Sequence, residues 1–88
     1  MPRYRLSESV MTRELGADLV MLELGNGVYY ALNTTGRSML ELLLNGADDD
    51  AIVRTMLERF DTDAPEIRED LHKLVAELLE KRILIESD

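Results

Sequence analysis

The chain has 88 residues, enough for one domain with a small core, since a chain of this size hides only about 60–65% of its extended surface on folding. It contains no cysteine, which excludes a disulfide framework, a thiolate nucleophile and a sulfur metal site. Its formal charge of −8 at pH 7 disfavours a nucleic-acid backbone as partner, because that affinity comes largely from lysine and arginine releasing counterions. The plain reading of the acid excess is that it keeps a small domain soluble.

Met1 to Leu6 is polar and basic with no apolar run behind it. No stretch approaches the roughly 20 apolar residues of a bilayer span. A cytoplasmic protein is expected, without signal peptide or anchor. From Tyr4 to Leu15 the pattern is broken but strand-like, and Ser9 to Glu14 is read as a first strand. Gly16-Ala17-Asp18 turns the chain into a second strand, Leu19 to Leu24, with Val20, Leu22 and Leu24 on one face and Leu19, Met21 and Glu23 on the other. A sheet covered on one side should show polar residues outside, so Leu19 and Met21 are out of place. Either the hairpin tucks them under the N-terminal arm, or they form a docking surface for another protein.

Gly25-Asn26-Gly27 makes a tight turn, because Asn and Gly reach positive φ at little cost. Val28 to Leu32 comes next as a third strand and closes on Asn33-Thr34-Thr35, any of which suits a helix N-terminus. Leu32 points inward at the helix start, which places Tyr30 beside it and leaves Tyr29 on the accessible face. If this strand is an edge, its free backbone groups offer a place for a peptide to add as a further strand.

Three helices complete the chain. Thr34 to Asn45 is the first, ended by Asn45-Gly46. Asp48, Asp49 and Asp50 open the second, with Ile52, Val53, Met56, Leu57 and Phe60 at helical spacing. Asp63, Pro65 and Glu66 open the third, about Pro65 to Lys81, whose apolar stripe is Ile67, Leu71, Leu74, Val75, Leu78 and Leu79. Ile83-Leu84-Ile85 suggests a short terminal strand. The fold class is therefore α+β: a three-stranded antiparallel meander followed by three helices, compatible with a winged helix-turn-helix, in a single domain over residues 1–88.

Chemistry is sparse. His72, the single histidine, falls on the charged side of the third helix and reads as a solvated surface residue rather than a base or ligand. The Asp48-Asp49-Asp50 run lacks the spaced ligands of a calcium loop and reads as helix capping. No catalytic residues, metal or cofactor are expected. The outward side of the third helix carries Arg68, Glu69, Asp70, His72, Lys73, Glu77 and Glu80, too acidic for a DNA-reading helix. Binding remains as the function.

Tyr4-Arg5-Leu6, the hairpin turn, Tyr29-Tyr30-Ala31-Leu32-Asn33 leading to Thr35-Gly36, Leu42-Leu43, Gly46 before an acidic helix start, and the Leu71 to Leu84 run together resemble the PqqD-like proteins. These are the leader-recognition elements of ribosomally made, post-translationally modified peptide pathways, also called RiPP recognition elements. The resemblance covers nearly the whole chain and implies a non-enzymatic protein that holds a precursor's leader along the third strand, in a groove completed by the third helix. A free-standing chain of this size looks most like the leader-binding protein of lasso peptide biosynthesis, with a leader-cleaving cysteine protease and a macrocyclase as further partners, and no nucleic acid or membrane. The protein that presents a precursor to a radical enzyme in pyrroloquinoline quinone biosynthesis is the alternative within the resemblance. Outside it stand an acidic winged-helix regulator and a dimer paired through the free strand.

The resemblance implies one groove wall from Val28, Tyr29, Tyr30, Ala31 and Leu32. The other comes from Ile67, Leu71, Leu74 and Leu78, flanked by Asp70, Lys73 and Glu77. Leu19 and Met21 are the candidates for docking a partner protein.

Overall fold

The structure, a computed structural model, describes residues 3–87. Its elements in order are β1 (Arg3–Leu6), β2 (Val10–Leu15), β3 (Asp18–Glu23), β4 (Tyr29–Leu32), α1 (Thr34–Leu44), α2 (Asp49–Arg59), α3 (Ala64–Glu80) and β5 (Leu84–Ser87). The architecture is the expected α+β one, with β2, β3 and β4 forming an antiparallel sheet in that order and three helices after it.

Local chemistry sets the helix starts. The side chains of Asn33, Asp48 and Asp63 accept the backbone N–H groups of Gly36, Ala51 and Glu66 at 2.8–2.9 Å, each satisfying one of the donors a helix N-terminus leaves open. Asp49 and Asp50 add favourable charge in the first turn of α2, and Pro65 pre-sets the first turn of α3. α1 stops one residue before the expected Asn45, which caps it, and Gly46 takes the positive φ of +88° that turns the chain away. Phe60 likewise stands just past α2 in extended conformation.

The two ends of the chain pair with each other, which the sequence pattern does not announce. β1 pairs with β5 in a separate two-stranded ribbon, Tyr4 opposite Glu86 and Leu6 opposite Leu84. Leu84 and Ile83 are fully buried, so the ribbon closes the core beneath the helices. One apolar cluster unites the elements: Met21 from β3, Leu32 from β4, Leu40 from α1, Ile52 and Met56 from α2, Leu71 and Leu78 from α3. Among the described residues no helix is long and apolar enough to cross a membrane.

The faces of β3 are the reverse of the expected ones. Leu19, Met21 and Glu23 face inward, and Met21 is completely buried. Register explains it: Leu32, turned inward by the start of α1, stands opposite Leu19, and Tyr30 stands opposite Met21, and directly paired residues share a face. Met21 is thus a core residue and cannot serve as a docking contact, while Leu19 is half-buried against the same core. Of the two alternatives for this pair, the exposed docking patch is therefore not formed.

Glu23 makes the inner face look polar in sequence. Its carboxylate, only 5% exposed, accepts the Ser9 hydroxyl and the N–H groups of Gly25 (3.0 Å) and Asn26 (2.8 Å). It therefore organises the β3–β4 turn from beneath. Those bonds, the Ser9 hydroxyl foremost, hold its pKa below the usual carboxylate value against the opposing effect of burial.

Candidate functional site

Among the described residues β4 is an edge strand, bonded to β3 alone. The Glu23 N–H donates to the Val28 carbonyl at 2.8 Å, which fixes the phase of the ladder. Antiparallel pairs alternate between bonded and non-bonded, so Tyr30 and Leu32 turn their backbone groups toward β3. Tyr29 and Ala31 turn theirs outward. A row of backbone donors and acceptors in this position can receive another extended chain.

Beside that edge lies a groove of about 460 Å³ lined by Asp18, Tyr30, Ala31, Leu32, Asn33, Thr35, Gly36, Met39, Asp70, Lys73, Leu74 and Glu77. One wall is β4, the base is the first turn of α1 with Met39, and the opposite wall is α3. Asp70, Lys73, Leu74 and Glu77 belong to that wall because spacings of three and four residues share a helix face. Leu32, Met39 and Leu74, nearly buried, give an apolar floor, and Asp18, Asp70, Lys73 and Glu77 give a polar rim. Gly36 is small for a reason of packing: a Cβ there would stand 3.0 Å from Leu32 Cδ2.

The two walls are tied at one point. Tyr30 donates its hydroxyl proton to Glu77 Oε2 at 2.5 Å, and Lys81 Nζ sits 5.9 Å from the centre of the Tyr30 ring, within cation–π range. The Glu77 bond, helped by burial, pushes the Tyr30 pKa up to about 12. Lys73 pairs with Glu69 at 3.0 Å, which raises its pKa and leaves the rim acidic on balance.

Of the residues expected to form the site, the structure gathers Tyr30, Ala31, Leu32, Asp70, Lys73, Leu74 and Glu77 around this groove. Tyr29 does not line it: its backbone lies on the same free edge while its side chain is on the opposite sheet face, and Val28 sits before the strand at the turn. Ile67, Leu71 and Leu78 do not line it. They are at most 1% exposed, because the stripe of α3 that packs on the core is turned away from the groove by part of a turn, and only Leu74 borders both. A charge at Leu71 would therefore unfold the protein rather than probe the groove. Asp18, Asn33, Thr35, Gly36 and Met39 are additions to the expected set. For Asn33, Thr35 and Gly36 a signal existed, since a helix that begins directly after an edge strand must set its first turn beside that strand's end.

Two other hollows carry different chemistry. A larger one, about 650 Å³, lies between the β3–β4 turn and the end of α3 and includes Ser9, Glu23, Asn26 and Arg82, but its carboxylate is already engaged by the turn. On the far side of α3, His72 Nε2 lies 3.3 Å from Asp49 Oδ2, both exposed, near Leu43, Leu71 and Val75.

Residues 18–84 match the family model of coenzyme PQQ synthesis protein D (PqqD). No curated protein sequence matches the chain. Two solved structures are similar. TbiB1 in complex with the TbiA(beta) leader peptide is 26% identical, with a TM-score of 0.77 over 91% of this chain and 93% of that one. A lasso peptide synthetase B1 complexed with the leader peptide is 20% identical, with a TM-score of 0.84 over 94% of this chain and 98% of that one, a likeness of fold.

Proposed function

The chain belongs to the PqqD family, and from that premise we propose that it binds the leader of a precursor peptide as a fourth strand on β4, with leader side chains entering the groove against α3. The observation that carries this reading is the free edge at Tyr29 and Ala31 beside a groove with an apolar floor. The leader's backbone would pair with the N–H and C=O groups of those two residues. An apolar or aromatic anchor on alternate leader positions would rest on Leu32, Met39 and Leu74.

The protein is read as an adaptor and not a catalyst, handing the leader to a leader-cleaving protease and a macrocyclase in lasso peptide biosynthesis. That pathway is supported by the likeness to a lasso synthetase B1 across almost the whole of both chains, and the leader-binding role by the likeness to TbiB1. The family description keeps a second pathway in view, presentation of a precursor for pyrroloquinoline quinone. Its leader, titrated in parallel, separates the two.

The test is fluorescence polarisation of a labelled leader, encoded beside this gene, against the purified protein. Saturable binding, lost when the leader's aromatic anchor becomes alanine, is expected. A folded monomer that binds neither leader would return the protein to the regulator reading.

A further inference from the structure

The groove beside β4 differs in charge from one end to the other. Asn26 Nδ2 donates to the Lys81 carbonyl at 3.1 Å, and Tyr30 meets both Glu77 and Lys81, so α3 runs past β4 in the opposite sense. Following β4 from Tyr30 to Asn33, about 10 Å, therefore leads back along α3 from Glu77 to Asp70, also about 10 Å. On the sheet side Leu19 pairs with Leu32, and continuing that register sets Asp18 beside Asn33. Asp18 and Asp70 both line the groove, and among the described residues neither makes an ion pair. Lys73 does not neutralise them, because Glu69 holds it at 3.0 Å. The first turn of α1 lies at the same end without an acidic residue of its own, but the roughly half unit of positive charge at a helix N-terminus offsets only part of two unpaired carboxylates. The Asn33 end is thus acidic, whereas the Tyr30 end carries Lys81 over the ring.

We propose that this end of the groove selects leaders by charge: a lysine or arginine on the Asn33 side of the leader's apolar anchor sets its cation against Asp18 and Asp70. The inference rests on the leader-strand reading above and adds to it the charge of the bound segment. A bare metal ion fits the two carboxylates poorly, since among the described residues no three such ligands come together. A long basic side chain fits them well, because its stem can lie along the apolar floor at Leu32 and Leu74 while its head reaches the carboxylates at the rim. One exposed ion pair is worth up to about fivefold in affinity. Here two carboxylates face one cation, Asp70 is half-buried, and a glutamate at the same leader position would meet like charge, so the contrast between opposite charges should be wider than that.

The experiment uses the full chain and the labelled leader encoded beside its gene, with Lys, Gln and Glu placed in turn at each leader position flanking the anchor. On one side of the anchor, affinity by polarisation should fall in the order Lys, Gln, Glu, by at least about tenfold from first to last. On the other side the three should agree within about threefold. Asp18→Asn with Asp70→Asn, isosteric changes outside the core, should compress the order to within about threefold, and Asp70→Asn alone should compress it part of the way. Glu58→Gln with Asp61→Asn removes the same charge from residues that do not line the groove, and should preserve the order. Saturable binding with no order at any position would overturn the inference and leave the leader reading intact. So would an order that survives Asp18→Asn with Asp70→Asn, or one that Glu58→Gln with Asp61→Asn also abolishes, since the overall charge of −8 would then be its source. Failure of every form of the leader to bind would overturn both.

Discussion

β2 and β4 are the two edges of one sheet. β2 carries Arg13 and Glu14, with Glu14 ion-paired to Arg37 of α1, whereas β4 reads Tyr-Tyr-Ala-Leu without a charge. Charged side chains on an edge strand are a common guard against unwanted pairing. Here one edge is guarded and the other is open, and the open one is the edge with a groove and a helix wall beside it. An unguarded edge would be a hazard in isolation; next to a shaped groove it is a site.

The sharpest way to break the comparison is to remove one outward backbone donor from each edge. By the ladder phase these include Ala31 on β4 and Thr12 on β2, and proline is tolerated where an edge N–H faces solvent. Ala31→Pro should cost on the order of 10- to 100-fold in leader affinity with the fold retained by circular dichroism, while Thr12→Pro should leave affinity within about twofold. Equal losses in both would mean that the edges are not distinct.

Transferring the guard is the next test. Ala31→Lys puts on β4 the kind of charge that β2 already carries, and leader affinity measured by polarisation should fall by about tenfold or less, since the backbone donors remain. A smaller effect is expected at the tie between the walls. Tyr30→Phe removes the hydroxyl bonded to Glu77, and a few-fold change in leader affinity should result from the loosened groove. The same bond predicts a pH effect. Because the folded Tyr30 pKa is raised to about 12, its contribution to stability is complete below about pH 10, the ordinary tyrosine value, and is lost as pH rises from about 10 to 12. Thermal melting across that window should show a drop that Tyr30→Phe reduces. The smallest effect should be that of salt, since strand pairing and apolar contact dominate, with leader affinity changing less than about threefold between 0.05 and 0.5 M.

The helices and the edge are legible in the sequence because their signals are local: Asn33, Asp48 and Asp63 each cap the helix that begins at the next residue, and Tyr29 to Leu32 sits between a turn and a helix start. The features hidden in the sequence depend on distant partners. The β1–β5 ribbon joins the two ends of the chain, and four-residue strands show no decisive alternation. The faces of β3 read inverted because Glu23 shares the side of Met21, and only the contacts from Ser9 and the turn explain a carboxylate there. On α3 a broad apolar stripe spans both core and groove, and which side of it Leu71 and Leu74 fall on is set by how α2 and β5 pack against the helix.

The central claim is that the leader pairs with β4 and not with β2. Site-resolved amide hydrogen exchange, with and without leader, tests it most directly. Slowed exchange at Tyr29 and Ala31, with Thr12 and Glu14 unchanged, is the predicted result. Protection at Thr12 and Glu14, or leader binding that leaves the Tyr29 and Ala31 amides as exposed as before, would contradict it.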